Sequence, residues 1–192
     1  MAGPCGFPHR VMPIRTTLLI AGLACFASFG WGMLRHFERA GKPKPGMLLT
    51  VVLVPVFAAI NLTSLLTRPL AMPLTALVLY LAGVALFWFA IAATRGRGLA
   101  ACFQGQVPPR VVHAGPYRAI RHPFYASYTL AWIAGFAATG WWPLALIAIF
   151  MAGMYTYAAR QEESCILGSP LREEYRDYMR RTGRFLPRKG AT

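Results

Sequence analysis

The sequence predicts an all-α integral membrane protein: five transmembrane helices and a cytoplasmic amphipathic C-terminal helix, forming a single membrane domain over residues 1–192. Three observations predict it. Hydrophobic residues make up 56% of the chain, more than a soluble core of this size requires. They are gathered in five long runs. The 20 Lys and Arg, set against 6 Asp and Glu, cluster in alternate connections between those runs, as the positive-inside rule requires.

The first run, Thr16 to Leu34, would be about 28 Å long as a helix, close to the hydrocarbon thickness of a bilayer. Arg10 and Arg15 precede it, but it continues to Leu34 without a clean small-residue cleavage site, so it is read as a retained helix and not a cleaved leader. Gly46 to Leu66 and Leu70 to Ala93 are the second and third runs, each long enough to span with tilt. Within the second, Asn61-Leu62-Thr63 matches a glycosylation sequon at a depth no transferase reaches, so Asn61 is assigned as an interhelical hydrogen-bond partner and Pro55 as a tolerated kink. Phe124 to Thr139 and Trp141 to Ala159 complete the set. Only Gly140, Trp141, Trp142 and Pro143 mark the break between them, which reads as a helical hairpin with its tryptophans at headgroup level.

Charge orients the bundle. Seventeen of the Lys and Arg residues lie between runs one and two, between runs three and four, or after run five; the remaining three are Arg10, Arg15 and Arg68. The N-terminus is therefore expected outside and the C-terminus in the cytoplasm, with a bacterial inner membrane the expected location. In this setting the basic excess reports topology and contact with anionic lipid, and nucleic acid is not an expected partner.

The remaining polar segments are less regular. Arg95-Gly96-Arg97-Gly98 lacks the full GxGxxG spacing and follows no strand, so it reads as a solvated basic loop. Cys5, Cys25, Cys102 and Cys165 are too far apart for a CxxC pair, and no metal site is expected. Near the C-terminus, Ser169 and Pro170 suit an N-cap and first helical position. Leu171, Tyr175, Tyr178 and Met179 then share one helical face while Arg172, Arg176 and Arg180 occupy another. Periodicity leaves open whether this helix lies on the membrane or closes over the bundle.

The chemistry is expected where runs four and five meet the cytoplasm. Arg121-His122-Pro123 precedes run four and Arg160-Gln161-Glu162-Glu163 ends run five, so a hairpin brings them together. Proline suits the first helical turn and biases the residue before it away from helix, which fixes His122 at the helix entrance. Paired carboxylates at a helix C-terminus oppose the macrodipole and call for a cationic partner, either Arg160 or a ligand. Ionisable groups near membrane depth are site candidates by default.

Five motifs in this order give the chain a family likeness: Gly115-Pro116-Tyr117-Arg118, Arg121-His122-Pro123-Phe124-Tyr125, Arg160-Gln161-Glu162-Glu163, Glu174-Tyr175-Arg176-Asp177-Tyr178 and Arg184-Phe185-Leu186-Pro187. Over roughly Val111 to Pro187 the sequence resembles the isoprenylcysteine carboxyl methyltransferase family and its phospholipid N-methyltransferase relatives. The resemblance implies an S-adenosylmethionine site facing the cytoplasm, with His122, Tyr125 and Glu163 contacting the cofactor, Glu162 supporting them, and Tyr117 and Pro123 in the same cofactor-binding set. It implies Arg160 and Arg121 as catalytic candidates that handle the acceptor's polar group. The acceptor would be a lipophilic small molecule or lipid reached from the bilayer, either a prenylcysteine-like carboxylate or a lipid amine. Two departures stand out: Ala126-Ser127 follows the motif tyrosine where the family often has a glycine two residues on, and Gly168-Ser169-Pro170-Leu171 replaces the usual Phe-Gly pair. Two other functions compete with methyl transfer. One is hydride transfer from NADPH by a sterol-reductase-like enzyme, which would place phosphates on Arg95, Arg97 and Arg118. The other is a non-catalytic membrane scaffold.

Overall fold

The computed structural model describes residues 11–35, 45–95 and 110–188, with side chains described from 14 and from 52 in the first two stretches. Six helices follow in order: α1 (Val11–Arg35), α2 (Pro45–Thr67), α3 (Pro73–Thr94), α4 (Pro123–Thr139), α5 (Trp142–Leu167) and α6 (Arg172–Arg181). A 3-10 turn, Gly115–Arg118, precedes α4. Each of the five apolar runs forms a helix. Three stretches, Ile14–Arg35, Pro73–Thr94 and Trp142–Leu167, are long and apolar enough to cross a membrane. At 17 residues α4 is shorter, about 26 Å, and the apolar part of α2 that qualifies as a shorter helix is Val52–Thr67.

The exterior of these helices is as apolar as the interior. Leu74 and Ile149 are each 69% exposed, and Ile20, Val78 and Leu146 are also exposed. Such a surface suits a hydrocarbon solvent, in which apolar burial does not drive helices together and close backbone packing must. Small residues supply that packing. Ala76, Ala90, Ala131, Ala134 and Ala138 are fully buried, and a Cβ on Gly83 of α3 would come 3.1 Å from the Ser127 carbonyl oxygen of α4. Against this α3–α4 pair, α1 packs Phe29, whose ring centroid lies 5.3 Å from Phe87 and 4.7 Å from Tyr128.

Asn61 joins three helices. From α2 it is fully buried, and its Oδ1 accepts a hydrogen bond of 2.7 Å from the Tyr80 hydroxyl of α3. Its amide also presses on α4, where a Cβ added at Gly135 would lie 2.0 Å from Nδ2. The expectation of an interhelical partner at this position therefore holds, and the glycine facing it is what lets the amide in.

One end of the bundle is closed by backbone and cation contacts. Arg15 of α1 donates through Nη1 to the carbonyls of Leu65, Leu66 and Arg68 at 2.5, 3.1 and 3.0 Å. A cation there satisfies terminal carbonyls and opposes the negative end of the helix dipole. The amides of Ala71 and Met72, between α2 and α3, donate to Ala138 and Ala137 of α4 at 2.8 and 3.1 Å. Gly140 ends α4 with φ +64°, a left-handed conformation that glycine adopts without strain, and Arg68 lies 4.5 Å over the Trp141 ring.

Two sequence expectations are corrected. Helix α5 does not stop where its apolar run stops at Ala159 but continues to Leu167, because Arg160-Gln161-Glu162-Glu163 are good helix formers and the next strong breaker is Gly168. Ser169 and Pro170 do not start α6: Leu171 occupies its N-cap position. The Ser169 hydroxyl instead donates to the Ile166 carbonyl at 2.6 Å and accepts from the Leu171 amide at 3.2 Å, shaping the turn between α5 and α6. The periodicity of α6 is realised as read, with Tyr175 and Tyr178 buried together with Ile166 and with Val111 and Leu171 packed against them. That face closes over the bundle end and does not lie free.

The Asn61–Gly135 contact makes a double-mutant test available. Gly135→Ala should lower unfolding free energy in detergent by about 2 kcal/mol, as overpacking of a tight core does. The same substitution on an Asn61→Ala background should cost much less, because the atom it strikes is gone; equal costs on both backgrounds would show that the contact does not govern α2–α4 packing.

Candidate functional site

The segment from Gly115 to Tyr125 is shaped residue by residue. Gly115 has φ +56°, and a Cβ there would sit 2.9 Å from the Ala93 side chain, so both conformation and space demand glycine. The 3-10 turn it begins buries Tyr117 in the main core. Tyr117's carbonyl accepts a 2.7 Å hydrogen bond from the Tyr178 hydroxyl of α6. Burial first, then the neighbouring Tyr178 and Glu162, push the Tyr117 phenol well above its usual value, so it is a neutral group. His122 is the N-cap of α4 and Pro123, fully buried, is its first residue. The histidine ring makes no cap hydrogen bond and is left to face α5.

A short backbone ladder fixes the next layer. Ile120 and Gly183 form an isolated parallel bridge. The amides of Arg121 and His122 donate to the carbonyls of Gly183 and Arg184 at 2.9 and 3.1 Å, and Gly183 donates to Ala119 at 3.0 Å. The chain after α6 is thereby strapped along the loop before α4. Gly183 is required at the bend, since a Cβ would fall 1.7 Å from the Leu186 carbonyl oxygen.

Glu163 is where these elements converge. Its Oε1 lies 3.0 Å from Arg121 Nε, 3.2 Å from His122 Nε2 and 3.2 Å from Arg184 Nε, while Oε2 accepts from Arg184 Nη2 at 2.6 Å. The Glu163 side chain is 5% exposed and Arg121 7%, so this is a buried ion cluster. Arg121 also donates to the carbonyls of Met179 and Thr182, which ties the end of α6 to the same point. Glu162, one residue earlier, takes the Tyr125 hydroxyl on Oε1 at 2.7 Å, with Oε2 3.5 Å from His122 Nδ1. With a carboxylate facing each nitrogen, the His122 ring is set to donate from both. Burial disfavours its charged form, but the two glutamates outweigh that and raise its pKa above the ordinary 6.5.

Aromatic rings extend the cluster inward. Tyr125 stacks on His122 and on Tyr155, with centroids 5.6 and 5.4 Å apart, and Trp132 donates to the Tyr155 hydroxyl at 3.1 Å. Next to the strap, α4 and α5 border a cleft of about 460 Å³, lined by Ala126, Thr129, Ile133, Thr156, Leu186 and Pro187 among others. The lining is mostly apolar. Its volume lies within the roughly 300–1,000 Å³ of small-molecule sites.

The structure thus brings together six of the eight residues singled out from sequence: Arg121, His122, Pro123, Tyr125, Glu162 and Glu163. Tyr117 sits behind them as a core residue that anchors α6 through its carbonyl. Arg160 is exposed, and among the described residues its guanidinium makes no hydrogen bond or ion pair. The cationic partner expected for the glutamates is supplied instead by Arg121, His122 and Arg184. Sequence reading assigned Arg184 no role, although its Arg-Phe-Leu-Pro stretch was conspicuous; Tyr155 carried no signal apart from its place in an apolar run. No family model matches the chain, and neither the curated proteins nor the solved structures include a match to it.

Chemically, Glu163 is a carboxylate whose lone pairs are largely committed to three cations. It orients others and is poorly placed to accept a proton. Glu162 retains acceptor capacity, since an ionised carboxylate offers about four lone-pair sites and here the tyrosine and histidine approach one oxygen each. Glu163→Gln should lower unfolding free energy by about 3 kcal/mol or more, the cost of removing one partner from a buried ion pair. In the wild type, His122 observed by NMR should titrate above 6.5. The stability from charged His122 is complete below 6.5 and fades as pH rises through the raised folded-state value. Glu163→Gln should move that midpoint down; an unchanged midpoint would detach His122 from the cluster.

Proposed function

We propose that this chain is an S-adenosylmethionine-dependent methyltransferase with five transmembrane helices, acting at the cytoplasmic membrane face on a lipophilic or membrane-associated acceptor. The observation that carries this reading is the meeting of His122, Tyr125, Glu162 and Glu163, drawn from two helices, beside a mostly apolar cleft between those helices. These are the residues to which the family resemblance assigns the cofactor. The distribution of Lys and Arg supports a cytoplasmic position for this end of the bundle.

The residues present suit such a cofactor. Glu162 has acceptor capacity left for an ammonium group, and the Tyr125 hydroxyl that donates to it, on a ring stacked between His122 and Tyr155, holds the carboxylate in place. When bound, S-adenosylmethionine supplies a methyl group made electrophilic by a cationic sulfur. The chain's part is then orientation and exclusion of water. Glu163 holds His122 and the strap in register, Glu162 and Tyr125 bind and orient, and the apolar cleft keeps the approach of a lipophilic acceptor dry. Arg121 serves this arrangement as a positioning residue, because its guanidinium is already committed to Glu163 and to the end of α6. Arg160, exposed nearby on α5, is left as the arginine free to meet an acceptor carboxylate.

Calorimetric titration of the detergent-solubilised protein with S-adenosylmethionine, with its demethylated product and separately with NADPH tests the reading. Saturable binding of the sulfonium cofactor is expected, weakened about tenfold or more by Glu162→Gln, whose lost charge-assisted hydrogen bond is worth that much. Glu163→Ala and His122→Ala should also abolish it, the former with a lowered melting temperature. Binding of NADPH alone would make the protein a reductase, and normal cofactor binding by all three variants would remove these residues from the site.

A further inference from the structure

A second, smaller pocket lies at the C-terminal end of α6. It has a volume of about 190 Å³ and is lined by His113, Arg118, Tyr178, Arg181 and Thr182. The two arginines reach it from different elements, Arg118 from the 3-10 turn before α4 and Arg181 from the last residue of α6. Their mutual placement is rigid, because Tyr178 donates to the Tyr117 carbonyl at 2.7 Å and Thr182 donates to the Tyr178 carbonyl at 2.6 Å. His113 completes the wall, its ring edge-on to Tyr178 at 4.8 Å and its Nε2 3.2 Å from Glu174 Oε1. The one carboxylate engaged at the rim is therefore turned to the histidine.

Charge pairing sets the pocket's two arginines apart from Arg172, Arg176 and Arg180 of α6. Arg172 and Arg176 both have Glu173 as a partner, and Arg180 has Asp177. Arg118 and Arg181 have no ion pair or side-chain hydrogen bond among the described residues. The C-terminal end of α6 accounts for a cation at Arg181, since it faces the negative end of the helix dipole. It does not account for a second guanidinium brought to the same concavity, where like charges repel. An anion between them turns that repulsion into two charge-assisted contacts. The volume restricts which anion, being below the roughly 300 Å³ at which sites for drug-sized ligands begin. A whole nucleotide is not enclosed by it, whereas a single phosphate group is.

We propose that this pocket binds one phosphate group between Arg118 and Arg181, carried by an anionic lipid headgroup or by free inorganic phosphate. The proposal is independent of methyl transfer: none of the residues lining the pocket is assigned to the cofactor, and it stands or falls whatever the Glu162 and Glu163 variants do.

The test has two arms on the full-length protein. In neutral detergent, inorganic phosphate is titrated calorimetrically against a chloride control of equal ionic strength. In nanodiscs of phosphatidylcholine mixed with phosphatidylglycerol, the lipids retained on the ejected protein are counted by native mass spectrometry. Each arm is repeated with Arg118→Gln, Arg181→Gln, their combination, and Arg172→Gln/Arg176→Gln, which removes equal charge from another face of α6. The melting temperature of every variant is checked in detergent. A saturable signal weakened about tenfold by each pocket variant, and not by the charge-matched control, is expected in at least one arm. Signal in the phosphate arm identifies free phosphate as a ligand, and signal confined to the lipid arm identifies the headgroup. Absence of binding in both arms, or equal loss in the charge-matched control, overturns the proposal by reducing the pocket to part of a diffuse basic surface.

Discussion

The ionised Glu163 carboxylate is the constraint on which this end of the bundle depends. A buried charge is costly unless it is paired and hydrogen-bonded, and here the pairing requires three segments at once. Arg121 and His122 come from the loop before α4, Arg184 from the strap after α6, and the carboxylate itself from the penultimate turn of α5. Satisfying one side chain therefore fixes the relative positions of α4, α5 and the segment that follows α6. The backbone bridge between Ile120 and Gly183 adds direction to that junction, and Gly183 is the residue that lets the strap bend away afterwards.

The same junction divides the surrounding chemistry into two compartments. Inward, toward α4 and α5, lie Glu162, Tyr125 and Tyr155 and the apolar cleft; outward, past Tyr178 and Thr182, lies the small basic pocket. Arg121 reaches the carbonyls of Met179 and Thr182, so the wall between the compartments is anchored to the ion cluster. Groups of opposite sign are thus kept apart: the Glu162 carboxylate with spare acceptor capacity on one side, and on the other Arg118 and Arg181, which have no acidic partner among the described residues.

Away from the junction, the bundle is held by a different rule. With apolar residues on the outside as well as the inside, association depends on how closely backbones approach and on a few buried polar contacts. Gly83 and the alanines of α3 and α4 supply the first, and the Tyr80–Asn61 hydrogen bond against Gly135 supplies the second. The far end is stapled by Arg15 on the carbonyls at the end of α2, which puts that cation to structural use.

The sequence alone determined the five apolar helices, the turn at Gly140, the buried face of α6, the interhelical use of Asn61 and the convergence of the Arg-His-Pro and Glu-Glu segments. These follow from short-range rules: hydropathy over a run, helical periodicity, proline at a helix start, and the adjacency of the two arms of a hairpin. Tertiary structure alone decided which cation serves which carboxylate. Arg160 is the nearer neighbour of Glu163 in sequence, yet Arg184, twenty-one residues on, takes its place, because a strap paired to the loop before α4 delivers a guanidinium to the buried face while Arg160 points to the exterior. The meeting of Arg118 with Arg181 was hidden for the same reason: it depends on segments far apart in the chain, about which periodicity carries no information. The continuation of α5 and the start of α6 are local matters, set by helix-forming residues up to Gly168 and by the Ser169 turn, which the end of an apolar run does not mark.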